Sequence, residues 1–316
     1  MPEEKTNTFS ALTLWVRWVN IGFIYLTCTV SVAVALWVLA IISVLIHDAQ
    51  AAFHHFGMAF LMSSSWNPLG NNGQGQYGIL PQIYGTLVSS WLALLIAVPL
   101  GFGVAIFLTE RWPLVPPGLQ TLLAFLVELL AAIPSVVYGI WGIYVLIPAL
   151  VPLTMWLHVH FSGIGIFSQP PTRPSMLVAG LVLAIMILPT VTSLAREALA
   201  AVPPDLRQGS MALGATRWET LIHIILPTAR SGLVGSIMLG LARAMGETMA
   251  VAMVIGNSNR INISILQPAS TIPSLLANQF AEASGLQVSA LMYAAFILLI
   301  ITLLTNIFAE VLIGRH

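Results

Sequence analysis

The sequence predicts an all-α membrane protein with six transmembrane helices, and three observations predict it. Apolar residues fill 58% of the 316 positions against 7% charged, and the mean hydropathy is strongly positive, as in a chain whose solvent is mostly lipid. The apolar residues gather in runs long enough to cross a bilayer, near 21–46, 83–108, 122–146, 176–194, 233–255 and 290–313. One stretch between two such runs, Arg196–Pro227, is too polar to be membrane and must face water.

The first run is longer than a signal-peptide core and has no convincing cleavage site, so it reads as a retained helix after a cytoplasmic tail at 1–20. Its extracytoplasmic loop, to residue 82, carries Ser63, Ser64, Ser65, Asn67, Pro68 and five glycines between Gly70 and Gly85. Residues 83–313 then form a five-helix core. A short proline-rich break, Thr109–Gly118, separates the second and third runs, and Pro134 interrupts the third. A proline there is tolerated in a membrane helix where neighbouring groups satisfy the freed carbonyl. A loop containing Trp156, His158, His160 and Arg173 leads to the fourth run.

Placing the N-terminus in the cytoplasm puts Lys5, Arg17, Arg111, Arg196, Arg207, Arg217, Arg230 and Arg315 inside, and only Arg173 and Arg260 outside. That is the positive-inside distribution. Trp15, Trp18 and Trp112 then sit where interfacial aromatics belong.

Several function classes are disfavoured. A net charge near zero argues against a nucleic-acid partner. The single cysteine, Cys28, forbids a disulfide within the chain and gives no support to a cysteine metal cluster. His54 and His55 are adjacent and His158 and His160 two apart, spacings that do not put two metal ligands on one helix face. The only lysine is Lys5, so the chain has no Gly-Lys-Ser/Thr phosphate loop. If ATP and its magnesium are used, another subunit binds them.

The polar stretch reads as helix-turn-helix. Pro203 and Pro204 open a helix over about 205–213, and Gly214 suits the left-handed position that ends it. Thr216 and Glu219 form a capping box for a second helix, whose apolar face of Trp218, Leu221, Ile222 and Ile225 runs to a stop at Pro227. This pattern resembles the coupling loop of ABC importer permeases, a motif of Glu-Ala-Ala, three residues, Gly, nine residues and Ile-x-Leu-Pro. Gly214, Ile224, Leu226 and Pro227 match at that spacing. The Glu-Ala-Ala positions hold Gln208, Gly209 and Ser210, a departure that removes a charge the family places against its ATPase. The resemblance implies that Gln208, Gly209, Ser210, Gly214, Thr216, Glu219, Leu226 and Pro227 form the ATPase-coupling element.

The intramembrane charges are the candidate site. Arg243 and Glu247 lie four apart in the fifth run, on one face of a continuous helix, with Arg243 about ten residues or ~15 Å into the membrane. A charge at that depth costs about 2.5–3.5 kcal/mol, so both must face protein or water. Glu128, about eight residues or ~12 Å from the cytoplasmic end of the third run, reaches similar depth. These residues form either an ion pair that locks helices together or a substrate pathway. An arginine fork suits an oxyanion, and an adjacent carboxylate tempers the attraction and accepts a proton from a partly protonated anion. Phosphate carries such a proton at neutral pH and sulfate does not.

Three segments make the resemblance specific: residues 240–251 (Gly-Leu-Ala-Arg-Ala-Met-Gly-Glu-Thr-Met-Ala-Val) followed by Ile255-Gly256-Asn257, residues 128–139, and Tyr84-Gly85-Thr86-Leu87 leading to Pro99-Leu100-Gly101. Together they resemble the PstC-type permeases of phosphate-specific ABC importers over nearly the whole chain from Trp66. The resemblance implies the type I ABC importer permease fold. It also implies a homologous second permease (PstA-type), a cytoplasmic ATPase dimer (PstB-type) that binds ATP and Mg, and a periplasmic phosphate-binding protein (PstS-type). Arg243 and Glu247 match the family's residues implicated in phosphate passage. On the outer side, 271–281, with Thr271 as cap and Ile272, Leu275, Leu276 and Phe280 on one face, reads as a helix against the membrane that receives the binding protein or acts as a lid. Permeases for sulfate or molybdate, a stand-alone carrier and a scaffold or sensor subunit are the alternatives; the coupling loop argues against a carrier that works alone.

Overall fold

The computed structural model describes residues 4–68, 75–110 and 116–314. Arg111, Trp112, Arg315 and most of the glycine-rich loop lie outside them. In chain order the helices are α1 (Glu4–Phe56), α2 (Ala59–Met62), α3 (Leu80–Thr109), α4 (Pro117–Ala132), α5 (Ser135–Phe161), α6 (Met176–Ala200), α7 (Pro204–Ala212), α8 (Arg217–Gly246), α9 (Met249–Val254), α10 (Ile272–Gln279) and α11 (Leu286–Gly314). Trp66–Asn67 pairs antiparallel with Gln76–Tyr77 between α2 and α3. Six of these helices, α1, α3, α5, α6, α8 and α11, contain stretches long and apolar enough to cross a membrane.

The hub is α6. Two thirds (67%) of its most apolar window is buried, twice the share of any other span. Lipid tails are as apolar as leucine, so close van der Waals packing rather than transfer from water holds such helices together. Glycines permit the approach: a Cβ added at Gly180 would stand 2.5 Å from Leu92 of α3, and one at Gly240 of α8 would stand 2.8 Å from Val191 of α6. The first N–H groups of α6, which have no partner inside the helix, are taken by carbonyls of the segment that follows α9: Met176 N donates to Gln267 O (3.0 Å) and Leu177 N to Ile265 O (2.9 Å). That segment turns back at Gly256 (φ 93°) and Asn257 (φ 51°). Gly256 is packed against Pro174 and Pro268, where no side chain fits.

A second core joins the end of α1 to α10 and α11. Phe60, Trp66, Tyr77, Ile272, Leu275 and Tyr293 are buried in it, and the Phe60 and Tyr293 rings stack at 4.7 Å. The apolar face expected to rest on lipid along 271–281 is thus largely occupied by protein, with only Phe280 of that face exposed. Thr271 caps α10 as expected, in a reciprocal box with Ser274.

Prolines act more strongly than the apolar pattern suggests. The expected third span, 122–146, is two helices: Ile133 takes the extended conformation forced on a residue before proline (ψ 126°), so α4 stops and α5 starts afresh after Pro134. Helix α5 continues to Phe161, and Trp156, His158 and His160 lie on its last turns rather than in a loop. Pro227 does the reverse of what the sequence predicts, because α8 runs straight through it. A π-turn at Leu221–Ile225, closed by Leu226 N to Leu221 O, widens the helix just before the ring that would otherwise meet the His223 carbonyl. The same device, Gly142–Leu146, precedes Pro148 in α5.

Helix α5 lies against α9, and Gly139 sets the spacing. A Cβ there would stand 2.6 Å from Met253 Sδ and 3.2 Å from Ala250 Cα. Gly139→Leu is expected to destabilise the folded chain by about 1–3 kcal/mol, read as a lower midpoint of thermal unfolding in detergent. Gly118, with open space around its Cβ position, serves as the tolerant control.

Candidate functional site

The fifth apolar run, expected as one helix over 233–255, breaks at Glu247. This residue is extended (ψ 125°), and α9 begins two residues later. The cause is local polar competition with the backbone. The Thr248 hydroxyl donates to the Gly246 carbonyl (3.1 Å), and Glu247 Oε1 accepts from Ala250 N (3.2 Å), capping α9. Arg243 and Glu247 therefore do not share one face of a continuous helix, and among the described residues no ion pair joins them. The locking pair is absent.

Arg243 instead reaches sideways to α6, where its Nη1 donates to Thr190 Oγ1 (3.0 Å). Thr190 is fourteen residues from the start of α6 and ten from its end, about 21 and 15 Å of helix. The arginine is level with the middle of the most buried span. Its side chain is nevertheless exposed on the chain, on a strip of α8 that also presents Ser231, Gly235, Leu239 and Gly246. A Cβ at Gly235 or Gly246 would meet nothing within 4 Å, so these glycines serve no packing within the chain. Of the guanidinium's five N–H groups, one is spent on Thr190 and, among the described residues, the rest have no partner and can take an anion. Glu247, half-buried, follows Gly246 at the break with one carboxylate oxygen committed to α9.

Glu128 is exposed on α4 and hydrogen-bonded to neither residue. It lies two residues before Leu130, whose carbonyl accepts from the Tyr138 hydroxyl of α5 (2.8 Å) and so ties the two halves of the broken helix together.

The coupling-loop residues form one unit. Helix α7 ends at Gly214 in the left-handed region (φ 92°), and α8 opens on the Thr216–Glu219 capping box. Ser210 and Thr220 pair their hydroxyls across the turn (3.0 Å). Gln208 and Gly209 are exposed, and Leu226 and Pro227 belong to the continuous helix above. Two residues that local patterns did not single out anchor the unit. Arg207 forms an ion pair with Glu110, just past the end of α3, and donates through Nη2 to the Leu199 carbonyl (2.6 Å). A cavity of about 550 Å3 lies there, lined in part by Glu110, Arg207, Gln208 and Arg217. The outer face of the loop carries Leu206, Met211, Leu213 and Trp218, all exposed, with Leu213 at 92%.

Residues 97–315 match the family described as binding-protein-dependent transport system inner membrane component. The chain is 41% identical over 303 residues to the phosphate transport system permease protein PstC of Haemophilus influenzae, covering 94% of each chain. It is 44% identical over 270 residues to the protein of the same name from Mesorhizobium japonicum, covering 84% of this chain and 80% of that one. Among solved structures it shares its fold with a chain of a bacterial alginate ABC transporter (TM-score 0.60, 17% identity, 92% of this chain and 95% of that one). A match over most of the length, with the broken α8 and the loop beneath it inside the matched region, shows that the chain belongs to the binding-protein-dependent inner-membrane transport components, with the PstC permeases among its relatives.

Proposed function

We propose that this chain is a translocation subunit of an ATP-driven importer of inorganic phosphate. The observation that carries the reading is Arg243: a guanidinium level with the middle of the buried span, exposed on a strip of α8 with Ser231, Gly235, Leu239 and Gly246, with one donor engaged among the described residues. A permanent charge at that depth is stable only facing protein or water, and a fork of free N–H groups fits a tetrahedral oxyanion. Glu247, four residues on in the chain, lowers the net attraction so that the anion is released, and accepts a proton from it. Glu128 is the weaker third candidate. The names of the relatives in Haemophilus influenzae and Mesorhizobium japonicum support phosphate as that anion.

In this reading both termini and α7 face the cytoplasm, and a homologous second permease completes the pathway. A separate ATPase dimer binds ATP and Mg, and a periplasmic phosphate-binding protein delivers the anion. The ATPases close on ATP, the unit from Gln208 to Glu219 moves with them, and the unbroken continuation of α8 through Pro227 carries that motion to Arg243. The unit then exposes the arginine to the other side.

The test is ATP-dependent uptake of labelled anions into vesicles holding the full four-component assembly. Phosphate is expected to accumulate while sulfate and molybdate do not. Accumulation of either rival in place of phosphate overturns the assignment of the anion.

A further inference from the structure

We propose that Thr190 is part of the anion site, a positioning residue that aims the Arg243 fork and offers its own hydroxyl proton to the passing oxyanion. The proposal rests on the reading of Arg243 as a pathway residue.

Thr190 behaves unlike six other helical threonines of this protein; the neighbouring Thr192 also lacks a carbonyl partner among the described residues, but it is buried. Thr27, Thr86, Thr109, Thr228, Thr302 and Thr305 each donate their hydroxyl to a carbonyl three or four residues earlier in their own helix, the usual way a hydroxyl is satisfied where water is scarce. Thr190 makes no such bond among the described residues. Its side chain turns towards α8, and the one hydrogen bond it forms is as acceptor from Arg243 Nη1 (3.0 Å). A hydroxyl has one proton and two acceptor lone pairs. With the oxygen engaged by the guanidinium, the proton has no protein partner among the described residues, and it is half-buried beside a cation.

Two consequences follow. Arg243 is a long side chain whose free rotation would spread its charge over many positions, and one bond to a neighbouring helix fixes the plane of the fork. The free hydroxyl proton also lies next to that fork, so an anion held by Arg243 finds a further donor. The next polar positions on the same side of α6 are Ser193 and Glu197, both exposed. Ser193 donates to the Thr190 carbonyl (3.2 Å) and so is satisfied locally, which leaves Thr190 as the donor beside the arginine.

The test uses the complete reconstituted transporter and compares Thr190→Val, Thr190→Ser and Arg243→Gln, each checked for assembly, with labelled phosphate as probe. Valine keeps the shape and removes the hydroxyl; serine keeps the hydroxyl. Loss of hydrogen bonds to a charged group predicts phosphate transported per ATP hydrolysed about tenfold lower in Thr190→Val, and near wild type in Thr190→Ser. In an Arg243→Gln background Thr190→Val is expected to add little, because the two act as a unit. Should valine prevent assembly, Thr190→Ala removes the same hydroxyl by truncation and is held to the same outcome. Wild-type transport without the hydroxyl, or a serine variant as impaired as valine, overturns the proposal for Thr190. Undiminished transport by Arg243→Gln would instead sink the pathway reading on which it rests.

Discussion

Arg243→Gln is expected to lower ATP-dependent phosphate uptake by roughly 100-fold, because an amide retains the shape of the stem but neither the charge nor the bidentate fork. Arg243→Lys should fall between the two, keeping the charge and losing the fork. The structure sharpens the experiment by removing its usual ambiguity. Had Arg243 and Glu247 formed an ion pair, losing the arginine would have stranded a carboxylate in the membrane, and a defect in transport would have been indistinguishable from a defect in folding. Glu247 instead caps α9 through Ala250 N, and Arg243 makes its described bond to a neutral hydroxyl. The glutamine variant is therefore expected to assemble at wild-type yield, measured by co-purification of the partner subunits. Assembly with unchanged uptake would make Arg243 a structural residue and leave the anion site elsewhere.

Much of the fold was legible because a lipid solvent leaves a coarse signature. Six apolar spans, a capped polar loop and a left-handed Gly214 are written in consecutive residues, and the structure has six spans, the cap and the glycine, although the third span is Ser135–Phe161 rather than 122–146 and the fifth run breaks at Glu247. What was not legible depended on competition between the backbone and single side chains. Pro134 was visible, but the choice between a kink and a full break was made by the extended Ile133 before it. Pro227 was visible too, yet the π-turn that absorbs it occupies apolar residues with no signature of their own. The break at Glu247 did have a signal, the Gly-Glu-Thr triplet, in which one flexible residue precedes two side chains able to bond the backbone. Spacing four residues apart concealed it, because that spacing implies a shared face only while the helix persists. The partners Glu110 and Arg207, and Thr190 and Arg243, are separated by 97 and 53 residues. Long-range pairs of this kind are set by how α3, α6 and α8 pack, which no local window records.

The proposed coupling loop leads to the second large expected effect, on Leu213. This leucine is 92% exposed at the end of α7, directly before the left-handed Gly214. Leu206, Met211 and Trp218 are exposed beside it. A cluster of large apolar side chains on an exposed loop is costly for a solitary protein and is a feature of contact surfaces; under the proposed coupling role, Gln208 in place of the family's acidic residue would shift the weight of that contact from charge to shape. The loop is also braced from behind, since Arg207 ties α7 to Glu110 and to the Leu199 carbonyl. Arg207 thus links α7 to the end of α3 and to α6, and the Ser210–Thr220 hydroxyl pair links it to α8. Leu213→Glu is expected to cost about 2 kcal/mol or more of association, roughly 30-fold in affinity for the ATPase subunit, and to abolish ATP-driven uptake. The folded chain should keep its thermal stability, because the substituted side chain touches little of its own protein. Binding of the purified ATPase to the variant at wild-type affinity would show that the apolar cluster is not the coupling surface, and would return that role to the polar residues at Gln208 and Arg217 around the cavity behind it.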